Sequence, residues 1–226
     1  IIIAALSDMA GGFCEGVEQA SRFLRIKGRV FPAAVESLTL VAEYGDGSVT
    51  RGESVVRSVD KEVVAVSMEP LGVPAPPGVI KAIQSADVVV LSPGSLFTST
   101  IPALLGVGTR EALADFEGPV VYVANVMTQP GETSGFAISD HVRAIRQHIG
   151  DVVTDVLVHV GELPRNTLEL YEAERAAPAM IDRDVLDDMN VRLLEADLLA
   201  PPTGGGVRHD PDRLAKEVCE AALVRL

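Results

Sequence analysis

The sequence predicts an α/β fold in which a parallel sheet is flanked by helices and an antiparallel hairpin is inserted near the N-terminus. Three observations carry this. Four runs of strand length are apolar on both faces, as strands buried in a parallel sheet are. Segments of helical period lie between them. One early stretch of strand-like residues instead doubles back around a Gly-Asp-Gly-Ser turn. The 226 residues, 47% hydrophobic and 23% charged, suit one globular unit with a sizeable core. The chain is therefore read as a single, N-terminally incomplete α/β domain over 1–226 with a hairpin subregion over 27–69.

At the start, Ile1-Ile2-Ile3-Ala4-Ala5-Leu6 runs directly into Ser7-Asp8-Met9 without an initiator Met. The run is too short to span a bilayer, has no basic segment before it and no small-residue cleavage site after it. It reads as the middle of a buried helix, so the natural protein is expected to begin well upstream. Residues 38–44 and 49–56 then flank Gly45-Asp46-Gly47-Ser48, which gives the hairpin. Pro70, Pro74, Pro76 and Pro77 form a stiff connector, and Val79, Ile80 and Ile83 open a short helix. The four buried strands are expected at 87–91, 119–124, 152–158 and 190–194. The clearest helix carries Ile138, Val142, Ile145 and Ile149 on one face and Asp140, Arg143, Arg146 and Gln147 on the other.

A net charge of −13 repels nucleic-acid backbones and anionic membrane surfaces, although a few backbone amides and one or two Arg can still hold a small phosphate. Cys14 and Cys219 stand far apart without C-x-x-C or Cys/His spacing, and each is expected as a small buried hydrophobe on a helix stripe. The four histidines form no ligand spacing, so no metal site is predicted.

Ligands of open parallel sheets bind beyond the carboxyl ends of the strands. After the first strand comes Ser92-Pro93-Gly94-Ser95-Leu96-Phe97-Thr98-Ser99-Thr100, a turn with a Gly permitting close backbone approach and several hydroxyls; a helix cap accounts for one of them, not all. After the second comes Asn125-Val126-Met127-Thr128-Gln129-Pro130-Gly131-Glu132-Thr133, which suits base or sugar recognition or, equally, a turn with Thr133 or Ser134 capping the next helix. Asn166 and Glu169 have capping-box spacing, and Tyr171 suits either core packing or stacking on a ligand. After the fourth strand, Thr203-Gly204-Gly205-Gly206 delivers Arg208 beside a helix start capped by Asp210 with Pro211 in its first turn. His209 is left without a role.

The stretches SPGSLFTS (92–99), IPALL (101–105), NVMTQPGET (125–133) and GVRHDP (206–211) resemble the YvcK-like gluconeogenesis factors, in the same order and spacing, and Gly28-Arg29-Val30 with Arg51-Gly52-Glu53-Ser54 extends the resemblance over nearly the whole chain. The resemblance implies a parallel Rossmann-like, CofD-like sheet, a cytoplasmic regulatory protein that binds UDP-sugars such as UDP-N-acetylglucosamine, and a role in cell-wall and cell-shape homeostasis on gluconeogenic carbon. It implies no established reaction and no firm cofactor. Tyr171 and Arg208 fall where the family has nucleotide-sugar contacts, and Gly94, Ser95, Leu96, Thr98, Ser99, Asn125, Met127, Thr128 and Gln129 are assigned to the same crevice. No residue is assigned as catalytic.

A homo-oligomer is expected, with an unidentified regulatory protein partner, no nucleic acid and no membrane insertion. The alternative is a Mg²⁺-dependent enzyme like the 2-phospho-L-lactate transferases of deazaflavin coenzyme synthesis. Those share the fold but carry Ser-Asn-Pro where this chain has Gly94-Ser95-Leu96. Ser92 and Phe97 depart mildly from the family's commoner Gly and Tyr. The family's glycine-rich phosphate loop is expected upstream of Ile1.

Overall fold

The computed structural model describes residues 1–56, 59, 61–201 and 206–224. In chain order it contains α1 (Ile2–Ala10), α2 (Phe13–Phe23), β1 (Thr39–Tyr44), β2 (Val49–Arg51), α3 (Glu53–Val56), β3 (Val63–Glu69), α4 (Pro77–Gln84), β4 (Val89–Leu91), α5 (Thr109–Ala114), β5 (Val120–Val123), α6 (Ile138–Ile149), β6 (Asp155–His159), α7 (Arg165–Ala173), α8 (Arg183–Asp188), β7 (Arg192–Ala196) and α9 (Pro211–Leu223). A π-type turn at Leu96–Thr100 and a 3-10 turn at Pro102–Leu104 follow β4.

Strands β4-β5-β6-β7 pair in that order, all parallel, with Tyr122 opposite Leu91 and Val156. Burial of both faces explains the continuous apolar runs of the central strands β5 and β6, whereas β4 and β7, expected to be buried as well, are sheet edges and only partly covered. In β5, Val120 and Tyr122 enter one core with Val142, Ile145 and Ile149 of α6, whereas Val121 and Val123 point the other way, to Leu157, Leu198 and Ala221. The period of two thus feeds a helix layer on each face. The α6 bounds match the predicted spacing, and its end is set by Gly150 at φ 91°.

The hairpin is present, with Val41 opposite Arg51 and Glu43 opposite Val49, but it is part of a three-stranded antiparallel sheet ordered β2-β1-β3. Its second strand ends at Arg51 rather than continuing to 56, because Gly52 turns the chain at φ 94° and Glu53–Val56 coils into α3. This sheet shares the larger core: Leu40, Ala42, Val63 and Val66 pack with Leu91, Phe97 and Ile145. On its open edge, β3 is bridged to α6, where the Val66 N–H donates to His148 Nε2 (2.9 Å) and Gln147 donates to the Val64 carbonyl (3.2 Å).

Three further expectations are corrected. The first helix forms, but none of its residues is buried; α1 packs on α2, where a Cβ on Gly16 would meet Ser7 Cα at 2.6 Å, and Ile1, Ile2 and Ile3 stay exposed. Cys14 is only half-buried and Cys219 is exposed, because the buried stripe of α9 runs through Ala221 and Ala222 instead. Asn166 is not a cap: Pro164 precedes α7, leaving Asn166 inside the helix. No described helix is long and apolar enough to cross a membrane.

Candidate functional site

Loops from the carboxyl ends of β4 and β5, together with α7 and the segment before α9, enclose a cleft of about 430 Å³. Its wall includes Gly94, Ser95, Asn125, Thr128, Tyr171 and His209. Segments more than a hundred residues apart in sequence therefore meet at one rim, as a strand-end site requires.

Asn125 joins the first two loops. Its Oδ1 accepts from the Gly94 N–H (3.2 Å) and its Nδ2 donates to the Gly94 carbonyl (2.7 Å), so the side chain acts as a two-point clamp. One Nδ2 hydrogen is left over, since a carboxamide carries two. A Cβ added to Gly94 would find only ordinary contacts at 3.5 Å and beyond. The backbone here is thus open to close approach.

Thr128 is buried, and its hydroxyl accepts from the Ala177 N–H (2.9 Å) while its own N–H donates to the Ala177 carbonyl (2.7 Å). With Ala179 N–H donating to Val126 O (2.9 Å) and Ile138 N–H to Met180 O (2.9 Å), residues 177–180 form a strap along the second loop. Met127 and Gln129 lie on the cleft wall. Thr133 caps nothing in α6; its hydroxyl accepts from the Gln129 N–H at 2.8 Å and closes the turn.

Beneath both loops lies a group that the motif contained but the sequence reading gave no role. Glu132 is 3% exposed. Its carboxylate accepts from the Phe97 N–H (3.0 Å), the Thr98 hydroxyl (2.8 Å) and Gln129 Nε2 (3.3 Å), tying the first loop to the second. The available signal was a lone carboxylate in a Pro-Gly turn with no basic neighbour in sequence.

Three assigned residues leave the cleft as a consequence. Leu96 is 1% exposed and belongs to the hydrophobic core. Thr98 is buried and its hydroxyl is committed to Glu132. Ser99 is exposed but is not part of the cleft wall, because the π-type turn carries it away from Gly94 and Ser95.

Tyr171 lies on the wall, and its hydroxyl accepts from the Val207 N–H at 3.0 Å, joining α7 to the segment before α9. The close approach uses Gly206, at φ 109°, where a Cβ would meet that hydroxyl at 3.0 Å. Thr203, Gly204 and Gly205 of the same glycine-rich stretch lie outside the described residues. Arg208 is exposed between the wall residues Val207 and His209, and its carbonyl accepts from the Ala200 N–H (3.0 Å). The amides that start α9 do not face a ligand: Asp210, the expected cap, accepts from the N–H groups of Asp212 and Arg213, each at 3.0 Å. The group at this corner able to attract an anion is therefore the Arg208 guanidinium rather than the helix end.

Two histidines complete the corner. His209 is held below the usual imidazole range by burial and, secondarily, by His159 nearby. His159, the last residue of β6, is lowered by burial against the opposing pull of Asp197, which is itself paired with Arg213 (2.5 Å). No group of three or more His, Cys, Asp or Glu that could hold a metal ion exists among the described residues. These residues do not by themselves fit a Mg²⁺ cage.

Residues 1–199 match the CofD family, described as 2-phospho-L-lactate transferase CofD. A gluconeogenesis factor of Bacillus subtilis is 34% identical over 216 residues, covering 95% of this chain and 68% of that protein. One from Halalkalibacterium halodurans is 33% identical over 221 residues, covering 97% and 68%. The chain spans about half the length of other curated relatives, 48% of a candidate gluconeogenesis factor of Nostoc sp. and 47% of one from Deinococcus radiodurans. A crystal structure of a Bacillus halodurans protein superposes with a TM-score of 0.92 at 32% identity, over 96% of this chain and 70% of that one. The chain belongs to the CofD-like family and groups with its gluconeogenesis factors.

Proposed function

We propose that the strand-end cleft binds a nucleotide sugar, a UDP-sugar such as UDP-N-acetylglucosamine, and that the protein is a binding regulator rather than a catalyst. The observation that supports this most is the convergence of Gly94, Asn125 and Tyr171 on one cleft, with Arg208 beside it. Each offers what part of such a ligand needs. The Gly94-Ser95 backbone permits close approach of a diphosphate, the spare Asn125 amide hydrogen can reach a carbonyl or hydroxyl, the Tyr171 ring offers a stacking face, and Arg208 supplies a guanidinium.

Occupancy would be reported through the strap at 177–180, which is bonded to the cleft loop through backbone groups and so shifts with it. The physiological role we assign is that of a cytoplasmic gluconeogenesis factor acting in cell-wall and cell-shape homeostasis as a homo-oligomer with a regulatory protein partner. Calorimetry with UDP-N-acetylglucosamine tests the reading. Binding is expected, and Arg208→Ala is expected to weaken it; no heat at high-micromolar ligand would retire the proposal.

A second reading, a phosphorus-group transferase, is favoured by the description of the matching family. Turnover of a nucleotide-activated phospholactate-like donor would establish it. The described residues provide no Mg²⁺ cage for such a reaction.

A further inference from the structure

We propose that binding of the phosphate-bearing ligand in this cleft is coupled to uptake of one proton by His209, which makes His209 a charge-adjusting contact residue of the site. The inference rests on the cleft being the nucleotide-sugar site. It adds a residue and a linkage that the fold and the family membership do not supply.

Geometry carries the argument. His209 lies on the cleft wall, one residue beyond the exposed Arg208. Its Nε2 is shut away from solvent and has no hydrogen-bond partner among the described residues. A buried nitrogen without a partner is an unfavourable arrangement that an incoming acceptor can relieve once a small ring rotation presents it. Among the described residues no carboxylate pairs with the imidazole, and burial, then His159, disfavours its charged form.

The surrounding groups set the balance. From β6, His159 contributes a second imidazole whose charge would oppose that of His209. His159 is itself constrained. The Leu198 N–H approaches its Nδ1 at 3.1 Å and the Gly161 N–H its Nε2 at 3.1 Å. A neutral ring accepts from one of these and an imidazolium from neither; Asp197 and the backbone at Gly161 and Ala196 favour the charged form, but burial outweighs them and holds His159 below the usual imidazole range. After β7, Asp197 is shared between His159 (3.6 Å) and Arg213 (2.5 Å). Asp210 is occupied as the α9 cap. From α7, the Tyr171 hydroxyl is held by Val207, and Glu174, just after the helix, is an acidic residue on the same cleft wall.

A diphosphate entering between Arg208 and Glu174 brings negative charge to His209 and reverses what burial imposes. The Nε2 or Nδ1 lone pair then takes a proton from solvent and the imidazolium donates to a phosphate oxygen. The two phosphates of a nucleotide sugar are diesters, fully ionised near neutrality, so any proton taken up on binding goes to the protein.

The test is calorimetry of UDP-N-acetylglucosamine binding near pH 6.5 in buffers of different ionisation enthalpy, together with ¹H–¹³C NMR of the histidine ring signals with and without ligand. The expected result is uptake of about 0.3 to 1 proton per ligand and a His209 titration that moves to higher pH on binding. His209→Gln is expected to bind several-fold more weakly with enthalpy independent of buffer, while His159→Gln keeps the uptake. Binding whose enthalpy is buffer-independent in the unmodified protein, or uptake that survives His209→Gln, overturns the proton coupling alone. No heat and no change in the ring signals at millimolar ligand overturns the reading of the cleft, and the coupling with it.

Discussion

Replacing Glu132 by Ala removes the carboxylate on which both cleft loops rest. The Phe97 N–H (3.0 Å) and the Thr98 hydroxyl (2.8 Å) lose their acceptor inside the core, and Gln129 loses a weaker contact at 3.3 Å. A buried donor left without a partner costs about 1–3 kcal/mol. The Phe97 amide cannot turn away, because Leu96 and Phe97 are each 1% exposed and packed in the core. The Thr98 hydroxyl can rotate and recover part of its loss. Adding the cavity left by the missing side chain, the expected destabilisation is about 3–5 kcal/mol. Glu132→Gln keeps one acceptor oxygen and nearly the same volume, and is expected to cost about 1–2 kcal/mol. Urea unfolding followed by circular dichroism measures both. A shift for Glu132→Ala below about 1 kcal/mol would refute the reasoning, since it would mean that the two loops do not depend on this carboxylate.

Other consequences are open to measurement. Arg208→Ala should weaken nucleotide-sugar binding by about 1.5–3 kcal/mol while leaving the unfolding midpoint unchanged, because the side chain is exposed and loses only a charge-assisted contact to ligand. Tyr171→Phe removes the acceptor for the Val207 N–H and should cost about 1 kcal/mol of binding, read by the same titration. His141, fully buried against Tyr122, is pushed down from 6.5 to about 4, chiefly by burial. Its folded form resists protonation more than its unfolded form. The corresponding stability, about 3 kcal/mol, is present above pH 6.5 and lost as the pH falls through about 4, and His141→Phe should flatten that slope in unfolding measured across the range. Asp210→Ala should cost about 1 kcal/mol through loss of the α9 cap.

The legible parts of the fold were those fixed by local chemistry. The spacing of Ile138, Val142, Ile145 and Ile149 located α6, the apolar run ending in Ala124 located β5, and Asp210 before Pro211 marked the start of α9. The third antiparallel strand was missed although Val63-Val64-Ala65-Val66 is strand-like, because β3 pairs with β1 across the intervening β2 and α3 rather than through a tight turn. At the site, the sequence indicated which loops gather at the sheet edge but not which way each side chain turns. Thr98 and Ser99 are adjacent hydroxyls of similar chemistry. One is drawn into the core by Glu132, more than thirty positions away, and the other is left outside the cleft wall. His209 gave no signal in sequence, because its interest lies in a nitrogen without a partner among the described residues and in a neighbour, His159, brought close only by the sheet.

A co-crystal structure with UDP-N-acetylglucosamine tests the central claim most directly. The account predicts ligand density between the Gly94-Ser95 turn and Asn125 on one side and Tyr171 and Val207 on the other, with the diphosphate within reach of Arg208. Density seated instead in the cleft beside β3 lined by Met68, Leu105 and His148, with the strand-end cleft empty, would contradict it.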